Sequence, residues 1–201
     1  ETLKNVDLVL AEDTRKSKIL FNKHAITTSL KSYHINNEHR VVNLYVASLV
    51  DGKKIALVSD AGTPSISDPG FLLIRESIKK NIEIICLPGA TALIPALVMS
   101  GLPSEKFVFE GFLPKKKGRD SRLKELAIEK RTVILYESPL RVIKTLQDLK
   151  EFFGSDRRIS LSREISKIYE ETYRGTIEDA LAHLSNKNPK GEFVICIDKL
   201  G

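Results

Sequence analysis

The stretch 58-VSDAGTPSISDPG-70 lies between an apolar run, 55-IALV-58, and a helix-like segment, 71-FLLIRESIKK-80. A strand should end where it starts, and a helix should begin where it stops. Connections of this kind usually take about two to six residues. This one is longer, and it holds two glycines, two prolines, two aspartates and three serines. Gly62 and Gly70 open backbone conformations closed to other residues. Pro64 and Pro69 fix φ and remove amide donors. Ser59, Asp60, Thr63 and Ser65 can bond local backbone or a ligand. Open α/β folds bind ligands in loops at the carboxyl ends of their strands. The competing reading is a long turn whose side chains satisfy only its own backbone.

Outward from this loop, short strand-like runs alternate with longer helix-like ones. The strands are predicted at 7-DLVLA-11, 55-IALVS-59, 82-IEIICL-87, 107-FVFEG-111, 132-TVILYE-137, 158-RISLS-162 and 193-FVICI-197. In 140-LRVIKTLQDLKEFF-153 the apolar residues recur at three and four, which marks one helix face. Pro139 suits its first turn and Gly154 its end. The alternation predicts an α/β fold. The turn-rich stretch 100-SGLPSEK-106 suggests two domains, 1–103 and 104–201.

The net charge is +6 and the pI about 9.2, which favours an anionic partner such as nucleic acid. Residues 1–103 hold 12 basic and 10 acidic residues, and 104–201 hold 20 and 16. The densest basic run, 115-KKKGRDSRLK-124, therefore falls in the half with more positive charge. Cys86 and Cys196 sit in apolar runs without CxxC spacing, so both are expected in the core, reduced, in a cytoplasmic protein. No apolar run approaches the roughly 20 residues of a membrane span, and no signal peptide is visible.

A second loop, 88-PGATALIPALVMSG-101, follows the predicted strand 82–87. It is neither GxGxxG nor a Walker loop, and it has no lysine for a terminal phosphate. The four histidines form no HExxH and no zinc spacing with cysteine, and there is no GxSxG elbow. The segment 34-HINNEH-39 reads as a helix N-terminus. The runs 12-EDTR-15 and 136-YESPLR-141 each end a strand and open a helix, either as a cap or as the edge of a site. Four compact polar loops at strand ends point to a cleft.

These motifs resemble the tetrapyrrole methylase superfamily, and within it the branch that modifies small-subunit ribosomal RNA. The likeness rests on AEDTRKSKIL at 11–20, SYH at 32–34, LVSDAGTPSISDPG at 57–70, PGATAL at 88–93, FVFEGFLP at 107–114, YESPLR at 136–141, SREISKIYEE at 162–171 and GEFVI at 191–195. Tetrapyrrole-modifying relatives usually carry Gly-Asp-Pro where this chain has 62-GTP-64.

The resemblance implies two α/β/α domains holding S-adenosylmethionine (SAM) in a cleft, a class III methyltransferase that forms a homodimer, and no metal. It implies methylation of a cytidine 2′-hydroxyl in the decoding region of 16S rRNA on the small subunit, with S-adenosylhomocysteine as product. Asp60, Gly62, Thr63 and Ile66 would lie along SAM, and Gly89, Ala90, Thr91 and Ala92 would offer it backbone. Tyr136, Glu192 and Phe193 would close the pocket. Candidate proton acceptors or substrate holders are Glu12, Asp13, Arg15, Glu137 and Arg141, with Glu164 and Lys167 behind them. Lys115, Lys116, Lys117, Arg119 and Arg122 would contact RNA phosphate. The family opens with a strand and a glycine loop reading like Thr-Pro-Ile-Gly-Asn, which would precede Glu1, so a central strand of the first sheet is expected to be missing. Two other readings are a small-molecule tetrapyrrole methylase and a non-catalytic RNA-binding module.

Overall fold

The computed structural model describes residues 1–185 and 187–200. They fall into two compact units that meet in sequence at Thr91 and Ala92.

The first unit carries three parallel strands in the order β2-β1-β3, with β1 at Leu8–Ala11, β2 at Ser29–Ser32 and β3 at Ile55–Val58. Three helices connect and follow them: α1, Thr14–Lys23; α2, Glu38–Val50; and α3, Phe71–Ile78. Leu10 of β1 packs with Val42, Tyr45 and Val46 of α2 and Leu72 and Leu73 of α3. β1 is the central strand and is nearly all buried; β3, paired on one side only, is half-buried throughout. β2 was missed by hydropathy because SLKS carries one apolar residue.

The expected strand at 82–87 does not form, and the chain from Ile82 to Thr91 is irregular. A parallel strand is held by its hydrogen-bond ladder, and no described strand pairs with this segment. Ile85 and Leu87 are consequently exposed. So is Cys86, which corrects the expectation of two core cysteines; only Cys196 is buried.

The second unit opens with α4, Leu93–Ser100, and holds five strands in the order β4-β5-β8-β6-β7. These are β4, Phe107–Phe112; β5, Thr132–Glu137; β6, Arg158–Arg163; β7, Glu171–Thr176; and β8, Phe193–Ile197. β4 and β5 run parallel, while β8 is antiparallel to both its neighbours and all five of its residues are buried. α5, Arg119–Ala127, α6, Val142–Phe153, and α7, Ile177–Ser185, complete the unit. Val142, Leu146 and Leu149, on the predicted face of α6, join the main core, and Gly154 ends the helix at φ +88°. α4, expected in the first half, packs with Ile134, Val194 and Cys196 of the second sheet.

Candidate functional site

All three strands of the first sheet are parallel, so their carboxyl ends share one edge. Glu12–Arg15 follow β1, Tyr33–Asn37 follow β2, and the long loop Ser59–Gly70 follows β3. Hydrogen bonds tie these segments together. Tyr33 N donates to Ala11 O at 2.8 Å. Asp13 N donates to Asp60 Oδ1 at 3.2 Å, and Lys16 Nζ to Asp60 Oδ2 at 2.7 Å.

Asp13 caps α1 by accepting from Arg15 N at 2.9 Å, and it also accepts from the Arg15 guanidinium at 3.0 and 2.7 Å. Those bonds hold its carboxyl well below the usual carboxylate range. Lys16 is pushed up by its bond to Asp60. Asp13 is therefore a weak proton acceptor, and Lys16 stays charged. Glu12 is half-buried, and its charge adds to those of Asp60 and Asp13 in raising Lys16.

The long loop is shaped from within. Ser59 Oγ donates to the carbonyls of Ala61 and Gly62. Gly62, Ser65 and Ser67 take positive φ. Gly70 has φ +146°, and a side chain there would collide with Ser65 and Leu57, so only glycine suits the position. Thr63 Oγ1 lies 2.9 Å from Ala90 O and 2.9 Å from Thr91 Oγ1, which fastens this loop to the second one. Ala61, Gly62, Gly89 and Ala90 are exposed, as is Ile66. Ser65 Oγ is buried without a partner.

The second unit gathers its own strand ends, since Glu137 pairs with Phe193 and Phe193 with Arg163. Glu137 is 2% exposed. It accepts from Ser138 N at 2.8 Å, Arg141 Nε at 2.8 Å and Thr145 Oγ1 at 2.7 Å. Thr145 Oγ1 accepts from Arg119, which also holds Asp148 at 2.8 Å and the carbonyl of Pro114 at 3.0 Å. Glu137, Arg141 and Arg119 thus belong to one internal network.

Arg122 is taken up by Glu110 and Glu125. Of the five basic residues expected to meet RNA, Lys115, Lys116 and Lys117 are the exposed ones, on a turn that Arg119 ties down. Phe193 is a core residue, 3% exposed. Glu192 accepts from Lys167 at 2.9 Å and donates its amide to Glu164. Lys167 is pushed up, first by Glu164, and Glu164 is lowered by Lys167; neither suits proton abstraction at neutral pH. Tyr136 Oη accepts the amide of Leu93 at 3.1 Å, at the start of α4, and its ring meets Phe109 edge-on. Tyr136 therefore holds the helix that follows Ala92.

The SYH motif at 32–34 holds a further candidate. His34, two residues past β2, has its ring Nδ1 buried with no partner. The SYH motif was the available signal. The polar composition of SLKS hides β2, so the motif's place at a strand end is not legible in the sequence. Among the described residues no cluster of His, Cys, Asp and Glu could hold a metal, and no helix is long and apolar enough to cross a membrane.

A unit with a three-stranded parallel sheet and a long wrapped loop, and a second unit with a five-stranded mixed sheet, are the parts of a class III methyltransferase fold. Known structures share it: the methyltransferase CobJ superposes with a TM-score of 0.69 at 17% identity, over 98% of this chain and 85% of that one. Uroporphyrin-III C-methyltransferase from Thermus thermophilus, complexed with S-adenosylhomocysteine, gives 0.64 at 15%, over 97% and 87%. The sequence pattern of the Tetrapyrrole (Corrin/Porphyrin) Methylases matches residues 1–181. Ribosomal RNA small subunit methyltransferase I of Synechocystis is 50% identical over 98% of this chain and 71% of its own length. Its namesake in Thermotoga maritima is 43% identical over 98% and 88%. The chain belongs to the tetrapyrrole methylase family, in the ribosomal RNA small subunit methyltransferase I group.

Proposed function

We propose that the chain is a SAM-dependent methyltransferase that places a methyl group on the 2′-hydroxyl of a cytidine in the decoding region of 16S rRNA. The observation that carries this reading is the tethered loop pair. The DAGTPSISDPG loop is fastened through Thr63 to PGAT at the carboxyl edge of a parallel sheet, and relatives 50% and 43% identical over 98% of this chain are named for ribosomal RNA.

The residues fit an adenosyl methyl donor in what they offer: small, exposed residues at Ala61–Gly62 and Gly89–Ala90, and the orphan hydroxyl of Ser65. When bound, SAM supplies an electrophilic methyl. Gly62, Thr63 and Ile66, with Gly89, Ala90, Thr91 and Ala92, would hold it by backbone and shape. Asp60 would organise the edge through Asp13 and Lys16, because its carboxylate is already engaged. Tyr136 would act through α4, and Phe193 through the core behind the strand end. Glu192 would brace the β6–β7 turn through Glu164 and Lys167. Glu137 and Arg141 would set the β5 strand end, leaving Glu12, Asp13 and Arg15 nearest the chemistry. Holding reactants in line can contribute roughly 7–11 kcal/mol.

Lys115, Lys116 and Lys117 would meet phosphate, in a cytoplasmic homodimer acting on the small subunit. Replacing the three by Gln should reduce the slope of log affinity against log salt by about 0.7 per lost contact on single-stranded RNA. An unchanged slope would place that turn outside the interface.

The second reading, a small-molecule tetrapyrrole methylase, is favoured by the family's name and by the likeness to the corrin and uroporphyrin enzymes. Tritium transfer from labelled SAM to small subunits, naked 16S rRNA and a porphyrin precursor separates the two. Label is expected mainly on the subunits and lost when the target ribose is already 2′-O-methylated. Label mainly on the porphyrin precursor would reverse the choice.

A further inference from the structure

Resting on that reading, we infer that His34 is the proton acceptor for the ribose hydroxyl.

The placement is unusual for an idle histidine. Tyr33 is wholly buried, and its amide is bonded to Ala11 O at the end of β1. His34 N donates to Asn37 Oδ1 at 2.8 Å, and Asn37 Nδ2 donates to Ser32 O at 3.2 Å. The turn is therefore fixed from both sides, and it places His34 at the strand-end edge that also carries Glu12, Asp13 and the Ser59–Gly70 loop. The ring Nδ1 is buried and unpartnered. Leaving a buried polar atom without a hydrogen bond is unfavourable, and a bound hydroxyl would supply the missing partner.

The competing groups are otherwise employed. Asp13 is held ionised by Arg15 and Asp60 is held by Lys16. Glu38 faces the Tyr33 hydroxyl at 3.4 Å, and His39 is exposed. Glu137 is saturated inside the second unit. Glu12 lies close enough to Lys16 for its charge to act on that ammonium, and histidine is the side chain used most often for proton transfer. As the ribose oxygen gains the methyl, its O–H bond breaks and the proton passes to the imidazole. The imidazolium takes over the positive charge that the methyl donor's sulfur loses when its C–S bond breaks and it keeps the electron pair, so atoms and charge balance.

The test compares His34→Gln, Glu12→Gln and the exposed control His39→Gln in tritium transfer to small subunits. His34→Gln should lower kcat by about 100- to 10,000-fold, and calorimetric SAM affinity should stay unchanged. Added imidazole should partly rescue His34→Ala and should not rescue Glu12→Gln.

A readout without turnover accompanies these. The His34 ring resonance, assigned by its absence in His34→Gln, should shift with a cytidine-containing oligoribonucleotide and shift less with its 2′-O-methyl form. Near-normal kcat in His34→Gln, or a loss confined to Glu12→Gln, overturns the assignment while leaving the methyltransferase reading intact. Equal weakening of SAM binding and rate would make His34 structural, and the inference would fall. If the unaltered protein labels no RNA, the parent reading fails and takes this one with it.

Discussion

Two strand ends in this molecule carry nearly the same text and use it differently. After β1 the chain reads EDTR and enters α1; after β5 it reads ESPLR and enters α6. In the first, Asp13 meets a guanidinium that is 90% exposed, and Glu12 is half-buried. In the second, Glu137 is buried and each oxygen is occupied. The difference comes from the surroundings: the first sheet has three strands and an open edge loop, while the second closes α5 and α6 over its strand end. An acid–arginine pair at a strand end is therefore no guide to chemistry until its burial is known.

The largest effect should come from breaking the closed end. Glu137→Ala removes the acceptor of Ser138, Arg141 and Thr145 and leaves buried donors uncompensated. Removing one member of a buried charged network typically costs about 3–5 kcal/mol. Urea unfolding followed by far-UV circular dichroism should show a loss of that order. A loss no larger than that of an exposed substitution would mean water already enters the network.

Next comes a contrast in thiol reactivity. Cys86 lies on the exposed, unpaired segment and Cys196 is buried in β8, where burial pushes its thiol up to about 12. Only the thiolate is nucleophilic. At pH 8 in native conditions Cys86 should react with a maleimide within minutes, while Cys196 should react only on unfolding. Equal rates would show that β8 opens without denaturant.

The same contrast explains how much the sequence reveals. Strands rich in buried apolar residues, such as Thr132–Glu137 and Phe193–Ile197, are legible because both faces are covered. Ser29–Ser32 and Glu171–Thr176 are polar and invisible to that signal. The segment 82–87 has strand composition yet forms none, because pairing is a tertiary property that composition cannot report. The two glycine-rich loops were legible from turn chemistry. That Arg119, Arg122 and Glu137 are spent on internal partners was not, since charge alone does not tell a paired arginine from a free one. The orphan nitrogen of His34 is not legible for a related reason: lacking a partner is a property of packing.

On the open side, the effect should be smaller. Thr63→Val keeps the shape but removes the hydroxyl that links the two loops. One such bond is worth about 1 kcal/mol, roughly fivefold in an equilibrium. SAM affinity by calorimetry should weaken by about that factor with little change in thermal stability. A much larger loss of stability would mean that Thr63 supports the fold of the first unit and not the loop pair alone.

The smallest effect should be Asp13→Asn. The Arg15 guanidinium holds the Asp13 carboxyl below its ordinary range in the folded chain, and an unfolded aspartate titrates near 3.9. The folded state therefore binds this proton less readily than the unfolded state. The pair's contribution is fully present above about pH 4 and is lost as pH falls toward the lower folded value. Solvent around the exposed guanidinium screens the pair, so the contribution at neutral pH is minor and should shrink in salt. Asn retains a cap oxygen but no charge. The gap in unfolding midpoint between wild type and Asp13→Asn should be small at pH 7 and should close on acidification through the range below pH 4. A gap that widened there would mean the carboxyl is favoured in its protonated form, which would reopen Asp13 as a proton carrier at this edge.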